Sequence, residues 1–82
     1  MTEFVRVDVD QIPEWPEPGK LYVSEEYEIA VHLCACGCGR KTVTPLDGNG
    51  WVLTDGPTLH PSISQRICRA HYWIRGGRIV WC

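Results

Sequence analysis

The sequence predicts a small, mostly-β zinc-binding domain, similar to a zinc ribbon and stabilised by its metal. Its 82 residues leave room for one domain, residues 1–82. Short β-rich segments alternate with six prolines and eight glycines, and helix signals are few. Cysteines are grouped as metal ligands usually are. A core this small gives limited stability, and chains of this size often add a metal.

The distribution of prolines and apolar residues divides the chain into two parts. Residues 1–19 contain prolines at 13, 16 and 18 and are expected to form an irregular N-terminal segment. Residues 20–82 are expected to form the metal-binding core. Within it, residues 21–24 and 51–54 are short β-rich runs. Residues 28–34 alternate apolar side chains with period two, which predicts a strand that ends at the first cysteine.

A β-hairpin is predicted at the C-terminal end. Residues 72–75 and 78–81 are β-rich and are separated by Gly76 and Gly77, which suit a two-residue turn. This register pairs Tyr72 with Trp81 and places Cys82 opposite His71. One face of the hairpin is then apolar, because facing pairs share a side.

The five cysteines allow two explanations, a disulfide framework or a metal site. The N-terminus shows no apolar export signal, and no segment has transmembrane length. The number of cysteines is odd, and three of them are too close together to pair comfortably. We therefore expect a metal site in a reducing cytoplasm; a thiol redox role for the Cys-x-Cys pair is a minor alternative.

The predicted metal ligands lie in two groups. Structural zinc sites take four cysteine or histidine ligands in a closed tetrahedron. We expect one zinc per chain, and the sequence offers five ligands for it: Cys34, Cys36, Cys38, Cys68 and His71. Because this exceeds four, the fourth ligand beside Cys38, Cys68 and His71 is open between Cys34 and Cys36. His32 and Cys82 are further alternatives.

The charge distribution bears on nucleic-acid binding. The formal net charge is −2, whereas nucleic-acid-binding domains are commonly basic. Eight of the ten acidic residues precede residue 29. The bases gather in the second half, where Arg40, Lys41, Arg66 and Arg69 could line one face. A nucleic-acid-binding zinc ribbon is therefore the alternative function.

No set of residues in the sequence indicates catalysis, so no catalytic residue is predicted. Pro61-Ser62-Ile63 is interpreted as structural, with Ser62 capping a turn or the start of a helix. His60 is interpreted as a loop histidine. Four tryptophans cannot all be buried in so small a domain, and Trp15, set among prolines, is expected to be the most exposed.

Several motifs together resemble one bacterial family. They are Leu21-Tyr22-Val23-Ser24, His32-Leu33-Cys34-Ala35-Cys36-Gly37-Cys38-Gly39, Trp51, Pro61-Ser62-Ile63 and Cys68-Arg69-Ala70-His71-Tyr72-Trp73-Ile74. The family consists of small Cys/His zinc-binding domains of unknown function encoded beside bacterial ubiquitin-like conjugation genes. The resemblance spans about residues 19–81.

The resemblance implies an accessory role in protein modification. The chain would be a non-catalytic adaptor rather than an enzyme, and a ligase-like adaptor role without catalytic residues of its own stays open. It would bind an activating enzyme, a conjugating enzyme or a ubiquitin-like modifier through a face that zinc keeps rigid. Arg66, Arg69, Arg75 and Arg78 would supply charge on that face, and Trp15 or Trp73 an apolar anchor.

Overall fold

The computed structural model describes residues 3–82, which form eight strands in two four-stranded sheets. No helix lies within that range, which confirms the expectation of a small β protein. It also contains no helix with the length and hydropathy needed to cross a bilayer. The strands are β1 (Val5–Asp8), β2 (Lys20–Ser24), β3 (Ile29–Leu33), β4 (Lys41–Pro45), β5 (Val52–Thr54), β6 (Thr58–Ser64), β7 (His71–Arg75) and β8 (Arg78–Trp81).

The first sheet has the order β1-β2-β3-β4, and only its first pair is parallel. Strands β2 and β3 lie where the sequence predicts them. The prediction of an irregular N-terminal segment is wrong for β1, whose Val5 pairs with Lys20. The side chains of β1 are largely exposed, so backbone pairing rather than an apolar face defines this strand. The prediction for residues 1 and 2 lies outside the described range.

The second sheet is an antiparallel meander in the order β5-β6-β7-β8. The hairpin register is confirmed: Tyr72 pairs with Trp81, and the Cys82 amide donates to the His71 carbonyl at 3.0 Å. Strand β6 was not predicted, because Pro61 interrupts its pattern. The interpretation of Ser62 as a cap is therefore wrong, since Ser62 lies within β6.

The core lies between the two sheets. Its buried residues come from β2 and β3, from β6 and β7, and from the segments beside them: Phe4, Leu21, Val23, Ala30, Cys34, Ala35, Leu59, Ile63, Ala70, Tyr72 and Ile74. The Tyr72 hydroxyl lies 2.8 Å from His32 Nε2 and accepts from the Ala35 amide at 3.4 Å. Trp15 is 83 % exposed, which confirms the expectation for that side chain.

The N-terminal segment is also attached to the second sheet. The Phe4 amide donates to the Gly77 carbonyl at 2.6 Å, and the Gly77 amide donates to the Pro57 carbonyl at 2.7 Å. Gly77 has a φ of +79°, and a Cβ there would lie 2.9 Å from the Phe4 carbonyl oxygen. Glycine is therefore required where the hairpin turn meets the N-terminal segment.

Candidate functional site

Two loops bring four cysteines together. The first loop follows β3, where the Cys34 amide donates to the Arg40 carbonyl at 2.8 Å and the Gly37 amide to the Cys34 carbonyl at 3.1 Å. The second joins β6 to β7 and is closed by the Gln65 amide, which donates to the Ala70 carbonyl at 2.8 Å. The Sγ atoms of the cluster all lie within 4.8 Å of one another; its members are Cys34, Cys36, Cys38 and Cys68.

The distances within this cluster suit a metal ion. Cys34 Sγ lies 3.5 Å from Cys36 Sγ and 3.6 Å from Cys68 Sγ. Zinc–sulfur bonds of about 2.3 Å in a tetrahedron place sulfur atoms about 3.8 Å apart, so only small shifts are needed. All five cysteines of the chain are free thiols in the structure. The cluster can therefore hold a metal ion.

The electrostatics of the thiols differ within the cluster. Burial raises the pKa of the Cys34 thiol to about 12. The Ala70 backbone amide, which hydrogen-bonds the sulfur, is the main factor that lowers the pKa of Cys68 to about 7. Cys68 is therefore the more readily ionised thiol of the two, and the thiolate is the form that binds metals.

The predicted histidine ligand lies elsewhere. His71 is not among the side chains whose donor atoms meet in the cysteine cluster, and neither are His32 and Cys82. His32 is completely buried, and its Nε2 faces the Tyr72 hydroxyl. Burial lowers the pKa of His32 to about 4. The choice of individual ligands stays a prediction.

His71 instead contacts a serine. Its Nε2 lies 2.8 Å from Ser62 Oγ, and the two residues are on the adjacent strands β7 and β6. Ser64 pairs directly with His71, so Ser62 lies diagonally across the ladder on the same face. The register shifts between Leu59 and Ile63, the interval that contains Ser62. Such irregularities commonly redirect a side chain near a functional site.

The surroundings of this pair are open. His71 is exposed and Ser62 is half-buried. Trp73 lies on the same strand as His71; its ring meets the His60 ring edge-on at 6.2 Å, and the Arg75 guanidinium carbon lies 4.4 Å above it. Within residues 3–82, no carboxylate hydrogen-bonds or forms an ion pair with His71. Among residues 3–82, neither Ser62 nor His71 lines the surface concavities of about 320–410 Å³ that lie beside β1, β2 and β5.

A signal for the Ser62–His71 pair was present in the sequence but weak. In the sequence, Leu59 and Ile63 are apolar whereas His60, Ser62 and Ser64 are polar, which fits the alternation of a half-buried strand except at Pro61. Pairing that strand with residues 71–75 would have placed Ser62 on the face of His71. The motif of Cys68 and His71 favoured a metal ligand instead.

The comparisons with known proteins bear on the reaction. No curated protein and no solved structure matches the chain significantly. A family model described as "Bacterial ubiquitination-like system serine protease (BubE)" matches residues 8–82.

That description corrects the functional prediction. It names an enzyme, so the interpretation of the chain as a non-catalytic adaptor is wrong, and so is the expectation that it is not an enzyme. The alternative of a nucleic-acid-binding zinc ribbon is not supported. The physical reason for the error is that the two side chains suited to catalysis meet only through strand pairing. Because the match takes in all of the chain after residue 7, the chain belongs to the BubE family of bacterial ubiquitination-like systems.

Proposed function

We propose that this chain is a serine protease in which Ser62 is the nucleophile and His71 its general base. The observation that carries the proposal is the 2.8 Å separation of Ser62 Oγ and His71 Nε2. A serine hydroxyl is a weak nucleophile until an adjacent base accepts its proton, and this distance is within the range for that transfer. The description of the family supports the reaction class.

The pair supports a two-step hydrolysis. Ser62 Oγ attacks the carbonyl carbon of the scissile bond while His71 Nε2 takes the hydroxyl proton. His71 then gives that proton to the leaving nitrogen, and the acyl group stays on Ser62. A water molecule, deprotonated by the same Nε2, attacks the acyl-enzyme; the bond from the acyl carbon to Ser62 Oγ breaks, His71 returns the proton to Oγ, and the acid is released. This sequence requires the tautomer that carries its proton on Nδ1.

We further propose that the cysteine cluster holds one zinc ion through Cys34, Cys36, Cys38 and Cys68. Four thiolates leave zinc no open position, so the ion supplies a cross-link rather than a catalytic water. The link joins the loop after β3 to the loop that ends at His71. This cross-link would limit the movement of β7 at His71, the proposed general base. A reducing cytoplasm would keep these thiols available.

The substrate that we propose is a polypeptide of the same conjugation system, such as a ubiquitin-like modifier or a conjugate of it. The family description places its members in a bacterial ubiquitination-like system, which suggests partners from that system. The exposed position of His71 and the open surroundings of the pair suit a protein substrate better than a small molecule enclosed in a pocket.

A chemical probe tests this proposal directly. The purified protein is treated with a fluorophosphonate and digested, and the modified residue is identified by mass spectrometry. We expect the label on Ser62. Cleavage is then measured on the modifier of the same operon, extended at its C-terminus by a reporter. Ser62→Ala should lower the rate at least about 1,000-fold, as loss of a serine nucleophile does elsewhere.

The matched control is a second exposed histidine. His71→Ala should abolish both labelling and cleavage, whereas His60→Ala, an exposed histidine in β6, should keep the parent rate. Labelling of another residue, or cleavage that survives Ser62→Ala, would show that the nucleophile lies elsewhere.

A further inference from the structure

The edge of strand β6 next to Ser62 is uncovered. Strand β5 pairs with β6 only as far as Val52 and His60, so residues 61–64 extend beyond it. The chain before β5 turns away, because the Trp51 amide donates to the Pro45 carbonyl at 2.8 Å. Among residues 3–82, the backbone hydrogen bonds outside the strands include none to Ser64. Pro61 and Ser64 are both exposed.

The hydrogen-bonding pattern shows which way the backbone groups of Ser64 point. Bonded and non-bonded pairs alternate along an antiparallel ladder. The Gln65 amide donates to the Ala70 carbonyl, so the neighbouring pair, Ser64 and His71, is a non-bonded one. The His71 carbonyl accordingly accepts from Cys82 on the other side. The N–H and C=O of Ser64 therefore point away from β7, toward the uncovered edge.

The order of groups across the sheet suits catalysis at that edge. His71 lies on β7, Ser62 on β6, and the uncovered edge is on the far side of β6. A nucleophile must lie between its base and the carbonyl that it attacks. An added strand would lie about 4.8 Å from β6, which brings its carbonyl groups within reach of Ser62 Oγ.

Two exposed apolar side chains flank the edge. Val52 is 58 % exposed and is the first residue of β5, opposite His60. Ile67 is 70 % exposed and lies in the loop that follows β6. Both are available to contact side chains of a polypeptide that runs along residues 61–64.

We propose that the protease binds its polypeptide substrate in extended form, as an added strand along residues 61–64 of β6, with hydrogen bonds to the backbone of Ser64. The inference rests on the proposed function and states how that site takes its substrate. An extended peptide added to a sheet edge gains affinity from main-chain hydrogen bonds. Binding in this mode requires an unfolded segment, such as a chain terminus or a linker, around the cleaved bond.

The test compares Ser64→Pro with Ser64→Ala. Proline removes the outward N–H, while the β6–β7 hydrogen bonds of the neighbouring residues remain. Alanine removes only the hydroxyl. For the modifier–reporter fusion, kcat/KM should be about fivefold to tenfold lower in Ser64→Pro than in Ser64→Ala, mainly through KM. Hydrolysis of p-nitrophenyl acetate, which is too small to use the edge, measures the intrinsic reactivity of Ser62 in each variant, and the rates for the fusion are divided by it.

A second measurement does not depend on the folding of the proline variant. A series of short synthetic peptides spans the mapped cleavage site. Each peptide carries a single N-methyl group on the backbone nitrogen of a different residue. With the unmodified protein, N-methylation at alternate positions should raise KM, because every second N–H of an added strand faces the enzyme.

The outcomes separate the inference from the proposed function. If neither the ester nor the fusion is hydrolysed in a Ser62-dependent way, the proposed function fails and the inference fails with it. If hydrolysis depends on Ser62 but neither Ser64→Pro nor N-methylation affects the polypeptide, only the inference is overturned. A dimer that Ser64→Pro converts to a monomer would show that a second copy occupies the edge, which also overturns it.

Discussion

The cysteine cluster and the Ser62–His71 pair are built in different ways. The cluster is formed by two irregular loops, and three of its four cysteines are at least partly exposed. The pair is formed by two hydrogen-bonded strands. The residues next to Ser62 and His71 on these strands, Ile63 and Tyr72, are buried. A sheet keeps strand-borne side chains in place by itself, whereas thiols on loops need the metal. The metal is therefore expected to determine stability, and the pair is expected to determine activity with little effect on stability.

The largest expected effect concerns Cys68. Zinc binding in small domains contributes on the order of 10 kcal/mol to folding, which is comparable with the whole stability of a domain. Cys68→Ser should therefore lose bound zinc and its cooperative thermal transition. Cys82→Ser is the matched control, since Cys82 is exposed and outside the cluster. Metal analysis and thermal unfolding check both, and a Cys68→Ser protein that melts like the parent would refute the cross-link.

An intermediate effect is expected at Tyr72, which connects the two regions. Its hydroxyl lies 2.8 Å from His32 Nε2. The other ring nitrogen of His32 is buried without a partner among the described residues. Tyr72→Phe would leave both nitrogens unpaired, at a cost of about 1–3 kcal/mol in the free energy of unfolding. Urea unfolding measures this, with the exposed Tyr27→Phe as control. If Tyr72→Phe and Tyr27→Phe lowered the free energy of unfolding equally, the buried Tyr72 hydroxyl would contribute no more to stability than an exposed one.

The smallest effect on stability is expected at His71. Its side chain is exposed, so His71→Ala should change the free energy of unfolding by about 0.5 kcal/mol or less. Zinc content should stay near one per chain. This variant distinguishes the two roles of His71, because loss of the metal together with the fold would identify the histidine as a ligand, as the sequence predicts. Metal content by mass spectrometry under native conditions decides between them.

The elements that the sequence predicted well are those defined by nearby residues. The hairpin follows from Gly76 and Gly77 between two β-rich runs, and its register is confirmed. Strand β3 follows from its alternation. The grouping of cysteines within a few residues also indicates a possible metal site without any knowledge of the fold.

The elements that were missed are recognised mainly from the way in which strands pair. Strand β1 carries a local signal, because Val5, Val7 and Val9 alternate with Arg6 and Asp8, but the prolines that follow favoured an irregular segment and no local pattern shows the parallel pairing with β2. Strand β6 contains Pro61 and a register shift, both of which weaken a strand pattern. Ser62 and His71 meet only through the pairing of β6 with β7. The enzymatic character of the family could not be predicted, because neither residue stands out before that pairing is known.

The contact between Phe4 and Gly77 has a consequence for the order of folding. It joins residues separated by nearly the whole chain, whereas every antiparallel pair joins strands that are consecutive in sequence. Closing a long loop costs entropy before any contact compensates for it, so local hairpins form early and distant pairings late. We expect the antiparallel strands β2–β4 and β5–β8 to form first and β1 to dock last. In a kinetic experiment, substitutions around Phe4 would accordingly speed unfolding and leave the rate of folding almost unchanged.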